Sequence, residues 1–204
     1  MRPKLISYTP AALDADGFKN DATGATTTLT ATSAADSLAH KVTIASAVNL
    51  AAITFTLTGT DPDGKAQTED ITGPNNSTVT STKYFLTLTA VTFSSTLGAN
   101  TADIGWAATA VSKTYPIDRY AANAFSLDVQ VTGTINMTIQ ETLANVQSVS
   151  GYLTSFTAVS ALTGITGNTK SQLMARASAF RLLVNAVTAG ATVSIYMAGG
   201  GDKQ

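Results

Sequence analysis

The chain has 204 residues, enough for one sizeable domain or two small ones that each bury a core. Only 12% of residues are charged, about half of the ~25% usual in soluble domains, and the formal net charge is −1. The 12 Lys and Arg are scattered rather than clustered, which argues against a nucleic-acid partner, and the absence of Cys together with a single His excludes disulfides, thiolate metal sites and His-based metal clusters.

The first 24 residues contain Pro3, Pro10 and Gly17 and mix polar with apolar side chains. They suit an extended N-terminal arm that orders on contact with a neighbour. "AALDADGF" (Ala11–Phe18) promises a turn at most. The segment lacks the apolar core, roughly 7–15 residues, of a signal peptide. No window approaches the ~18 uninterrupted apolar residues of a membrane span. A soluble, non-exported product without a membrane partner is the expectation.

From Ala25 onward the pattern has period two. "TTTLTAT" (Thr26–Thr32), "HKVTIAS" (His40–Ser46), "ITFTLTGT" (Ile53–Thr60), "AQTEDIT" (Ala66–Thr72), "KYFLTLTAVTF" (Lys83–Phe93) and "ADIGWAATAV" (Ala102–Val111) each predict a strand. Ile53, Phe55 and Leu57 alternate with Thr54, Thr56 and Thr58, and Leu86, Leu88 and Ala90 form a similar series. Such alternation puts one face on a core and one in water. Threonine on the wet face favours a strand through its branched Cβ and gives solubility without charge. "DPDG" (Asp61–Gly64), "TGPNNS" (Thr72–Ser77) and "LGAN" (Leu97–Asn100) punctuate the runs as turns.

"SKTYPIDRY" (Ser112–Tyr120) reads as a crossover in which Asp118 and Arg119 pin a loop. Beyond it, "FSLDVQVTG" (Phe125–Gly133) and "INMTIQET" (Ile135–Thr142) predict a hairpin about Gly133. "AFRLLVNAV" (Ala179–Val187) and "ATVSIYMA" (Ala191–Ala198), joined by "TAG", predict a second. Leu143 to Met174 is weakly patterned, with room for one or two strands among long loops. The expected fold is all-β: an arm over 1–24, a β-sandwich module over 25–111, and a second over 112–204 with a flexible C-terminal tail. Each module would be jelly-roll or Ig-like.

Catalytic and metal-binding features are sparse. The two aspartates of "DPDG" suggest part of a calcium loop, but the later ligands of such a loop are missing. Pro62 and Gly64 are the residues a tight turn demands, so this segment reads as a hairpin corner. Of Glu69 and Asp70 on the return strand, only one can share a face with that turn. His40, with Asp36 four residues earlier, reads as a surface or strand-end histidine, and no G-x-S-x-G nucleophile elbow accompanies it. The glycines of "MAGGGDKQ" lack the helix or lysine motif of a phosphate cradle. Trp106 and the tyrosines occur singly and read as core or interface residues rather than a sugar-stacking platform. The sequons at Asn75–Thr78 matter only in a glycosylating pathway. No catalytic, cofactor or metal residue is assigned, and an enzyme is not expected.

"TLTGTDPDGKAQTEDITGPNNSTVTSTKYFLTLTAVT" (Thr56–Thr92) resembles a segment that recurs in structural proteins of tailed bacteriophages, where a G-T-D-x-x-G-x-x-x-x-E-x-I-x-G-P pattern precedes a T-x-K-Y-F strand. "YPIDRYAANAFSLDVQVTGTINMTIQET" (Tyr115–Thr142) and "AFRLLVNAVTAGATVSIYMAGG" (Ala179–Gly200) are similar to a β module of phage virion proteins. The resemblance implies a non-enzymatic virion component, made in the host cytoplasm and acting as an oligomer. It points first to a capsid decoration (cement) protein, a dimer or trimer bound to the major capsid protein or other virion proteins. The alternatives are a neck or tail component, such as an adaptor-bound or tube-like ring protein, and a receptor- or glycan-binding head-fibre domain.

Overall fold

The computed structural model describes residues 4–117, 125–146, 152–173 and 177–199. Asp118, Arg119 and the glycine-rich stretch after Gly199 lie outside them, as do parts of the weakly patterned region. The chain is all-β, built of antiparallel sheets. Helical backbone among the described residues is confined to two single 3-10 turns, Tyr152–Thr154 and Ser160–Leu162. No helix there is long and apolar enough to cross a membrane. Two compact units are present, Ala11–Val111 and a second made from Met1–Pro10 with Ser112–Gln204.

In the unit Ala11–Val111 the strands are β2 (Asp14–Ala22), β3 (Thr26–Thr27), β4 (Ala39–Asn49), β5 (Thr54–Thr60), β6 (Ala66–Thr72), β7 (Asn75–Phe85), β8 (Thr87–Phe93) and β9 (Ala102–Val111). They pair in the orders β2-β9-β4-β7 and β3-β8-β5-β6. The alternation of the sequence becomes one core between these sheets: Val42, Ile44 and Ile104 from the first meet Phe55, Leu57, Leu88 and Val91 from the second. Phe55 and Phe93 pack edge to face with centroids 4.9 Å apart. A register shift between Thr58 and Gly59 lets β8 change its inward series from Leu88 to Val91 and Phe93. Gly59 is required there, because a Cβ would fall 2.0 Å from the Thr87 carbonyl oxygen.

Four expectations change in the first 111 residues. The strand expected over Thr26–Thr32 is only the two-residue β3, Thr26–Thr27. Lys83–Phe93 is not one strand: β7 ends at Phe85, β8 begins at Thr87, and the two lie in different sheets. The Thr72–Ser77 turn is shorter than expected, since Asn75 already belongs to β7. β7 escaped the pattern because its leading residues are polar on both faces. The first 24 residues supply two strands, β1 (Lys4–Tyr8) and β2, instead of an extended arm. β2 is rich in Asp and carries no alternation; it is held by Phe18, which meets Trp106 edge to face at 5.1 Å. The Trp106 indole N–H donates to the Ala12 carbonyl at 3.0 Å. A Cβ at Gly17 would collide with the same ring at 2.3 Å.

The second unit holds β1 together with β10 (Tyr115–Pro116), β11 (Phe125–Thr132), β12 (Ile135–Thr142), β13 (Thr157–Ala158), β14 (Thr169–Gln172), β15 (Ala179–Val187) and β16 (Thr192–Gly199). One sheet runs β1-β16-β11-β14. In the other, β12 lies between β13 and β15, and β10 pairs with β15. Leu127, Val129, Val193 and Ile195 are buried from the first, and Ile135, Met137, Ile139, Leu182 and Val184 from the second.

Neither expected hairpin of this unit exists. β11 pairs with β16 and β14, whereas β12 pairs with β15 and β13, so the chain at Gly133 crosses from one sheet to the other. β15 to β16 makes the same crossing through Thr188–Gly190. These are arches, in which consecutive strands face each other across the core instead of sharing hydrogen bonds. The two arches stack. Thr188 donates its N–H to the Thr134 carbonyl at 3.0 Å, and the bend at Gly133, with φ +80°, leaves no space for a Cβ against the Ala191 backbone.

Candidate interaction surface

The acidic features fold into structural roles. Asp61 is buried, and its Oδ1 accepts the N–H groups of Asp63 and Lys65, both at 2.9 Å, while Gly64 turns the chain at φ +81°. β5 and β6 leave this loop as a seven-pair hairpin. Glu69 reaches across to β7, where its carboxylate accepts from Thr82 N–H at 2.7 Å, the Thr82 hydroxyl at 2.8 Å and Lys83 N–H at 2.9 Å. It thereby fastens a strand of one sheet to a strand of the other. Asp70 accepts from the Thr56 hydroxyl at 2.6 Å. Among the described residues no group of three or more His, Asp or Glu is arranged to hold a metal ion.

His40 is a correction. Expected as a surface or strand-end residue, it does stand at the head of β4, but it is buried, only 1% exposed. Its Nδ1 lies 2.8 Å from the Ala107 carbonyl and its Nε2 2.8 Å from Asp36 Oδ2. Both ring nitrogens are thus engaged, one by a carbonyl and one by a carboxylate, and neither is turned toward a nucleophile. Asp36 also accepts the N–H groups of Ala11 at 2.8 Å and Leu38 at 3.0 Å. Burial pushes its carboxyl up, but the hydrogen bond and charge of His40 and these two N–H groups outweigh that and hold it below the usual 3.8. The pair is a buried clasp.

Tyr115 is similarly closed. Its hydroxyl bonds that of Tyr8, its ring stacks on Phe180 at 5.2 Å, and burial, reinforced by Tyr8, pushes its ionisation far up. Trp106, as described above, is a strand latch.

The surface with chemistry to offer is the outer face of the sheet β1-β16-β11-β14. The registers Leu5↔Tyr196, Asp128↔Tyr196 and Asp128↔Lys170 place four side chains in one row across the four strands. Leu5 is 54% exposed and Tyr196 41%, while Lys170 Nζ sits 3.3 Å from Asp128 Oδ2. The adjoining row, Ala198–Ser126–Gln172, is made of shorter side chains, and a groove of about 380 Å³ opens over it. No family model, curated protein or solved structure matches this chain.

Among the described residues that surface is neutral, since the Asp128–Lys170 pair cancels, and it is stiff, since each backbone strand beneath it is paired. An exposed Leu beside an exposed Tyr supplies the apolar anchor that the centres of protein contacts favour. Sequence reasoning had Tyr196 only as one of several scattered aromatics. The available signal was its phase: Tyr196 lies opposite Ile195 and Met197 in the alternation, as Leu5 lies opposite Ile6.

Proposed function

We propose that this chain is a non-catalytic structural protein of a tailed-bacteriophage particle, assembled in the host cytoplasm and acting as a capsid decoration (cement) protein. The observation that carries the reading is the neutral outer face of β1-β16-β11-β14, with Leu5 and Tyr196 exposed on a rigid sheet. Such a face docks through shape and apolar anchors, with little dependence on salt. The segments that resemble phage virion proteins, Thr56–Thr92, Tyr115–Thr142 and Ala179–Gly200, include the strands β11 and β16 of that face. The partners proposed are the major capsid protein and copies of this chain, in a dimer or trimer. The closed environment of His40, whose ring nitrogens are both engaged, supports a role without turnover.

Quantitative mass spectrometry of purified particles tests the assignment. A decoration protein is present in fixed proportion to the major capsid protein. A copy number equal to one neck or tail ring removes the decoration role, and absence from the particle removes the virion reading altogether.

A further inference from the structure

We infer that the groove over β16, β11 and β14 is a binding site for neutral saccharides, a mono- or disaccharide unit held against Tyr196. The inference goes beyond the particle assignment, and the two exclude one another at Tyr196: a protein docked on that face covers the groove, so the sugar site is that of a chain whose face is uncovered.

The floor of the groove is low because Ala198 and Ser126 are small and lie side by side in register. Its wall is Tyr196, whose ring stands out from the sheet while Ile195 and Met197 on either side point into the core. Around them stand Asp128, Lys170 and Gln172. The depression is open on its outer side, with a volume of about 380 Å³, so a ligand there keeps one face in water.

Three features select the ligand. Among the described residues the charges cancel, because Asp128 and Lys170 pair at 3.3 Å and no other charged side chain of theirs lines the groove. A phosphate or other anion gains little from such a site. β16 and β11 are hydrogen-bonded on both sides, so the floor beside Tyr196 offers no main chain to which an extended peptide could add as a strand; the open edge of β14 lies two strands away. What it offers is one aromatic face and several side-chain donors and acceptors. A carboxylate accepts two hydroxyls, an ammonium and an amide donate, and a serine does either. A pyranose ring presents the complement: a C–H face for the tyrosine and hydroxyls around its rim.

Saturation-transfer NMR and calorimetry on the full chain, with the methyl pyranosides of glucose, galactose, mannose and N-acetylglucosamine and their disaccharides as probes, test the site. Saturable binding to at least one of them is expected, unchanged between low and high salt. Tyr196→Ala is expected to weaken it about tenfold. Ser126→Tyr fills the depression from an exposed position and is expected to abolish binding while leaving thermal unfolding in place, so the test stands even if Tyr196→Ala disturbs the sheet. No saturable binding to any probe overturns the inference. So does binding that survives both substitutions, or binding only to inorganic phosphate that salt removes.

Discussion

At the scale of single residues, the strongest expectation concerns Asp36 and His40. Asp36→Ala leaves the buried His40 ring without its carboxylate partner and the N–H groups of Ala11 and Leu38 without an acceptor. Removing one partner of a buried pair costs about 3–5 kcal/mol, so thermal unfolding is expected to shift sharply downward. The pH dependence has a definite sign. The Asp36 carboxyl lies below its usual 3.8 in the folded chain, so its contribution is complete above that value and fades as pH falls through the lower, folded value. Unfolding followed from pH 6 to pH 2 is expected to show an acid loss of stability that Asp36→Asn makes shallower. An unchanged slope in that variant removes the clasp from the account. In the sequence, the i, i+4 spacing of Asp36 and His40 was visible. Their burial was not, because it depends on Ala107 and Ala11, which approach from distant segments.

At the scale of elements, alternation made β4, β5, β6, β9, β11, β12, β15 and β16 readable, since a half-buried strand writes its two faces into the sequence. β2 and the start of β7 were not readable, because neither buries a regular series of side chains. The partners of each strand were hidden as well. Gly133 and Gly190 signal a reversal, and a reversal serves a hairpin or an arch equally; sheet membership is decided by the whole core. Glu69 belongs at this scale too, as it joins β6 to β7 where no main-chain ladder does. Glu69→Ala removes three hydrogen bonds at a partly exposed position, an expected cost of about 1 kcal/mol. That corresponds to a fall of roughly 2–4 °C in the unfolding midpoint. The neighbouring Asp70→Ala, which loses a single hydroxyl contact, is expected to shift it less.

At the scale of the whole molecule, the chain lays down β1 in one unit, builds the unit Ala11–Val111, and returns at Ser112 to complete the first. β1 is thus a short segment on which a distant sheet relies. It covers the edge of β16 and buries Ile6 and Tyr8. Deleting residues 1–10 is expected to lower the unfolding temperature and to produce concentration-dependent association, read by light scattering, because a bared edge strand recruits other chains. A truncated chain that stays monomeric with an unchanged midpoint contradicts this. The candidate groove was illegible at sequence level for a related reason: Lys170, Asp128 and Tyr196 come from three separate segments, and only sheet order makes them neighbours.

The antiparallel pairing of Lys4 with Met197 has a mechanical consequence. The backbone arrives at β1 and departs from β16 on the same side of the sheet. A tether ahead of Lys4 and another beyond Gly199 would therefore tug on the ladder from one end. Under tension its hydrogen bonds would part singly, as a zipper opens, rather than resisting together in shear. Force handed to this molecule through its flanking backbone therefore opens the β1–β16 ladder pair by pair.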